Sequence, residues 1–100
     1  MEKFVYYNEL YLVYKELLKE NNREIFDLYY GENMTMQEIA NLKGISKARV
    51  GVIIKNVEKT LLNYENTLKV VLKNSKLESL LELDDIKIIK EQIKEILEGE

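Results

Sequence analysis

One hundred residues, 46% of them hydrophobic, give enough chain for one domain with a real core and too little for two. The chain has no Cys and no His, which removes disulfides, zinc centres of the usual kind, thiol nucleophiles and imidazole acid-base chemistry; it also lacks proline and has four glycines, the make-up of a helical protein. The net charge of −3 is unevenly spread: residues 1–34 hold four basic and seven acidic side chains, residues 35–60 five and two, residues 61–100 six and nine. A positive island between acidic flanks points to a local polyanion contact, whereas a strong non-specific DNA binder is usually basic throughout.

The first amphipathic stretch, Lys3 to Glu20, places Tyr7, Leu10, Tyr11, Tyr14, Leu17 and Leu18 on one helical stripe. Its tyrosines read as core with hydroxyls at the rim, not as a base-stacking platform. Asn21 with Glu24 predicts a reciprocal cap for a short helix that carries Ile25, Leu28 and Tyr29 and ends where Gly31 turns left-handed. No apolar run is long enough to span a membrane, and the N-terminus has no small-residue cleavage site, so the reading is a cytoplasmic protein without membrane insertion. The abundance of Lys, Asn and Ile suits an AT-rich bacterial genome.

The segment from Thr35 to Thr60 carries the most information. Thr35 and Glu38 form a capping pair for a two-turn helix with Ile39, Ala40 and Leu42, and Gly44 ends it. Ser46 caps the next helix, in which Val50, Ile53, Ile54 and Val57 return to the core. A helix-turn-helix needs a small residue where its helices cross, a residue tolerant of positive φ in the turn, and a capping hydroxyl before the second helix; Ala40, Gly44 and Ser46 meet those needs. Gln37, Ser46, Lys47, Arg49, Lys55 and Lys59 are the candidate nucleic-acid contacts, suited to phosphate, with an ion pair to Glu38 or another carboxylate inside the motif as the alternative for Arg49.

Beyond the motif, Val57, Leu61, Tyr64, Leu68 and Val71 follow at spacings of four and three, predicting a long continuing helix to about Asn74 with a seam that closes in a homodimer. Ser75 and Glu78 then cap a short helix with Leu77, Leu80 and Leu81. Asp84 or Asp85 opens the last one, with Ile86, Ile89, Ile93 and Ile96 on one side; capping explains this acidic pair better than a metal site. The fold expected is all-α, a helix-turn-helix at about 35–60 with a helical extension over 61–100. No glycine-rich phosphate loop, nucleophile arrangement or metal-ligand spacing occurs, so no enzyme activity, cofactor or metal is expected.

The run ISKARVGVI resembles the helix-turn-helix of region four of bacterial primary sigma factors. The longer run REIFDLYYGENMTMQEIANLKGISKARV resembles the YlxM family of sigma-like proteins, in which a Leu-Tyr-Tyr helix, an acidic loop, a Ser/Thr residue leading a Glu-Ile-Ala helix, and a Val-Ser-Arg helix follow in this order. Here they correspond to Leu28-Tyr29-Tyr30, Thr35, Glu38-Ile39-Ala40 and Ile45-Ser46-Lys47. The resemblance implies an accessory role in the signal recognition particle pathway, acting on its RNA or its GTPases; the rival reading is a DNA-binding transcription regulator. Two departures weigh on specificity. Ala48, Gly51 and Val52 stand where sigma factors carry base-reading polar residues, and none of them makes bidentate contacts to base edges. Lys43 takes a usually apolar position, with Leu42 as the neighbour to fill the gap.

Overall fold

The computed structural model describes residues Glu2–Gly99 and, among them, contains helices and no strand: α1 (Lys3–Tyr14), α2 (Glu20–Phe26), α3 (Met36–Lys43), α4 (Lys47–Leu68), α5 (Val70–Leu80) and α6 (Ile86–Leu97). The long α4 is the axis. Its inward face, Val50, Ile53, Ile54, Val57 and Leu61, meets Leu10, Tyr11 and Tyr14 of α1, Ile25 and Phe26 of α2, and Ile39 and Ala40 of α3 in one buried cluster. Eight of the largest of these side chains, Phe26 and Leu61 among them, are essentially sealed from solvent. Burial of each such side chain contributes roughly 1.5–3 kcal/mol, which outweighs the weak propensities of the short helices around α4.

The stripe that suggested one helix from Lys3 to Glu20 is broken. α1 stops at Tyr14, a tight 3₁₀ turn covers Lys15–Leu17, and Leu18 swings into extended backbone. This turn half-buries Leu18 and leaves Leu17 57% exposed, an exchange that periodicity alone does not reveal. Lys19 therefore precedes α2 without a side-chain cap, and Asn21 lies inside the first turn of that helix. Gly31 is likewise not the left-handed residue. The chain widens into a single π turn at Asp27–Gly31, with the Glu32 amide donating to the Asp27 carbonyl, and Asn33 takes the positive φ of 57°. The wide turn keeps Tyr30 stacked on Phe26, ring centroids 4.3 Å apart.

The predicted long helix also divides. α4 ends at Leu68, Lys69 adopts a left-handed conformation (φ 55°), and α5 begins at Val70, so Val71 and Ser75 belong to α5 and Ser75 caps nothing. The break is fixed by Glu65, a buried carboxylate near the end of α4. It accepts hydrogen bonds from the Tyr14 hydroxyl (2.6 Å), the Val71 amide (3.1 Å) and the Leu72 amide (2.9 Å), while the Tyr14 oxygen accepts from the Val70 amide (3.1 Å). Three of the orphan N–H groups at the start of α5 are thereby satisfied from two other helices. α6 is capped by Asp85, whose carboxylate accepts from the Lys87 and Ile88 amides, and it folds back along α5. The molecule is elongated, 57 × 22 × 18 Å.

Two outcomes follow. Glu65→Ala should cost about 2–4 kcal/mol in urea unfolding, because it strands amides and a tyrosine hydroxyl together, and Tyr14→Phe about 1–2 kcal/mol. Burial, and then the hydrogen bonds to Glu65 and Glu58, push the phenols of Tyr14 and Tyr30 above their ordinary value of 10.0, and burial does the same for Tyr11. A raised folded-state value stabilises the neutral form, so this stability is complete below pH 10.0 and is lost as pH rises beyond it. Phenolate absorbance and loss of helical circular dichroism should therefore rise together in alkali.

Candidate nucleic-acid interface

The two helices of the motif are set by their caps. Thr35 accepts from the Glu38 amide (3.1 Å) while the Glu38 carboxylate accepts from the Thr35 amide (2.8 Å), the reciprocal arrangement read from the sequence. The Thr35 amide and hydroxyl hold the Glu38 carboxyl below its ordinary range. Gly44 closes α3 at φ 68°, and the Ile45 amide returns to the Ala40 carbonyl (3.1 Å). Ser46 starts α4 by accepting from the Arg49 amide (3.0 Å). Ala40 is buried at the crossing of α3 and α4, as the motif demands.

Gln37, Ser46, Lys47, Arg49, Lys55 and Lys59 are all exposed. They do not form one cluster. Gln37 and Lys47 meet across a groove of about 390 Å³ at the N-terminal ends of α3 and α4, lined also by Phe4, Tyr29 and Met36. Gln37 additionally donates to Asn41 (3.0 Å). Lys55 and Lys59 lie one turn apart on the outward face of α4, on the row that begins with Ala48 and Val52 and continues to Asn63 and Asn66. Arg49 sits on the neighbouring row with Asn56, Thr60 and Thr67, and no ion pair with Glu38 is found among the described residues.

What the sequence reading missed is the continuity of this surface. From Ala48 to Asn66, about 27 Å along the helix axis, the outward face bears Arg49, Lys55, Asn56, Lys59, Thr60, Asn63 and Asn66 and no carboxylate. The helix has two acids, and both turn inward. Glu65 is the buried cap of α5, and Glu58 accepts from the Tyr30 hydroxyl (2.5 Å) and lies 3.9 Å from Lys3. The spacing of Asn56, Asn63 and Asn66 by seven and three residues was available as a signal.

Three further expectations change. Leu42 is 62% exposed and fills no gap; Lys43 lies half-buried against α2 and pairs with Glu24 at 2.5 Å. Of the proposed seam, Val57 and Leu61 are sealed within the subunit's own core, Tyr64 reaches the Leu17 carbonyl (3.4 Å), Val71 packs on the core from α5, and Leu68 remains 46% exposed. No group of three or more metal-ligating side chains occurs among the described residues, and no helix among them is long and apolar enough to cross a membrane.

A core gathered from α1 to α4, a capped two-helix motif and an exposed cationic face on its second helix define a helix-turn-helix protein. The family model described as "Putative helix-turn-helix protein, YlxM / p13 like" matches residues 1–99. The chain is similar to the UPF0122 protein of Clostridium acetobutylicum, 35% identical over 95% of this chain and 84% of that one, and to its counterpart in Mycoplasma mycoides, 33% identical over 97% and 90%. It is also similar to a UPF0122 protein of Ureaplasma parvum, 37% identical over 81% of this chain and 83% of that one. The chain belongs to the UPF0122 (YlxM-like) family.

The motif geometry makes a stability prediction that separates its glycines. Gly44→Ala should lose roughly 1 kcal/mol, because a side chain at φ 68° is strained. Gly51→Ala should instead gain roughly 0.5–1 kcal/mol, since the added Cβ meets only the Met36 sulfur at an ordinary 3.6 Å. Paired denaturant melts check both signs.

Proposed function

We propose that this chain is a non-catalytic accessory or regulatory protein that holds nucleic acid through phosphate contacts along the outward face of α4. The observation that carries the reading is the carboxylate-free row of lysines, arginine and asparagines on the second helix of the motif, in a protein that is acidic elsewhere. Lysine and arginine there supply charge, asparagine and threonine supply neutral hydrogen bonds to phosphate and sugar, and the N-terminal end of the helix adds its own amides and dipole. Ala48, Gly51 and Val52, where base-reading side chains would stand, make this contact a positioning one. Within the signal recognition particle pathway that the resemblance implies, the polyanion is the particle's RNA, and its GTPases are the protein partners to test beside it.

The test is a salt titration of binding to a hairpin RNA and to duplex DNAs of several sequences. Affinity should fall steeply with salt and vary little with sequence. Lys55→Gln with Lys59→Gln should weaken all ligands alike and flatten the log–log salt slope by roughly two units. Asn63→Asp should weaken binding as well, by placing a carboxylate on the clean face. One DNA sequence bound far more tightly than the rest would instead support a transcription regulator that reads an operator with the same motif.

A further inference from the structure

α6 is the most amphipathic element of the chain and yet has no buried residue. It touches α5 and stands clear of the core gathered around α4. Its Ile86, Ile93 and Leu97 fall on one row, 68%, 37% and 81% exposed, and Leu77 and Leu81 of the facing helix and loop are 44% and 85% exposed. Ile93, Leu77 and Leu81 border, with Leu80, Leu83 and Ile89, an open groove of about 620 Å³ along the α5–α6 hairpin, and Ile86 and Leu97 lie outside it on the same row of α6. An apolar stripe of this kind facing water is costly, and among the described residues α5 is the helix that packs against it.

We infer that the covering element is a second copy of the same hairpin, so that two α5–α6 arms close into a four-helix bundle and the protein is a two-fold dimer joined through its arms. Three observations select that occupant. The hairpin is structurally half of such a bundle: two helices, one folded back on the other, with the apolar stripe of α6 beside Leu77, Leu80 and Leu81 at the end of α5. The area is right, because the exposed apolar side chains amount to on the order of 600 Å², and with a polar rim they approach the roughly 800 Å² per partner of a stable interface. The charges are self-complementary. Between Val70 and Gly99 the arm carries five lysines and seven carboxylates, a mixture that attracts neither nucleic acid nor an anionic lipid surface. Packing α6 of one copy beside α5 of the other sets Lys90 and Lys94 against Glu78 and Glu82. The seam read from the sequence thus moves from α4, where Val57 and Leu61 are already buried, to the arm.

The experiment is sedimentation equilibrium of the full chain on the order of tens of micromolar, a range in which an interface of this size is well occupied. The wild type should run at twice the chain mass of 11.8 kDa. Leu81→Glu with Leu97→Glu should run at the single mass with unchanged helical circular dichroism, since both side chains are more than four-fifths exposed and support nothing within the subunit. A monomeric wild type, or a doubly substituted chain that stays dimeric, overturns the inference. So does a monomer that adsorbs to phosphatidylcholine vesicles through the same two leucines, which would give the face to lipid. The inference is independent of the nucleic-acid reading: Lys55→Gln with Lys59→Gln should remain dimeric.

Discussion

The carboxylate of Glu65 is the point on which the arrangement of the whole chain turns. One buried acid near the end of α4 receives the Tyr14 hydroxyl from α1 and two amides from α5, and Tyr14 takes a third amide itself. A buried carboxylate is tolerated only when its lone pairs are filled, and the unpaired amides at a helix start are tolerated only when they find acceptors. Each solves the other's problem. The exchange requires α4 to stop, the chain to turn through a left-handed Lys69, and α5 to leave at a defined angle toward α1. Everything C-terminal of Lys69, including the arm with its bare apolar stripe, is aimed by that exchange.

The same economy shapes the candidate interface. Both acids of α4 are consumed inside the molecule, Glu65 by α5 and Glu58 by Tyr30 and Lys3, and the outward face is left to cations and amides. Electrostatic character on one side of the helix is thus a by-product of hydrogen bonding on the other. Burial of tyrosine rings contributes in the same way. Tyr11, Tyr14 and Tyr30 fill the core while their hydroxyls reach a carbonyl or a carboxylate, so polar tips are satisfied without bringing charge to the surface.

Much of this was legible from residue spacing. The motif boundaries, the Thr35–Glu38 box, the Gly44 turn, the Ser46 cap and the inward row of α4 follow from local rules in which each residue's partner is three or four positions away. The elements that were misread share a different cause. α1 stops short of Glu20, Asn33 and not Gly31 makes the left-handed turn, and α4 ends before Asn74, because in each case a distant contact overrides the local period: Leu18 half-buried against the core, Tyr30 joined to Glu58 across 28 positions of sequence, and Tyr14 joined to Glu65 across 51. A heptad-like spacing runs unbroken from Val57 to Val71, and nothing in it signals a helix that stops at Leu68. The candidate cations were visible as charge, but the clean face between them depends on where Glu58 and Glu65 point, which spacing suggests and tertiary packing decides.

The division of the molecule at Lys69 also orders events in time. The buried members of the central cluster are complete in sequence by Leu61, whereas the arm's contacts are with itself, with α1 and with the C-terminal end of α4. As the chain emerges from the ribosome, the motif and its core are available to close first, and the sticky hairpin appears after them, when the subunit behind it already has its shape. Late exposure shortens the period in which that stripe stands open on an unfinished molecule, and it delays any encounter between copies until each is able to offer a finished surface.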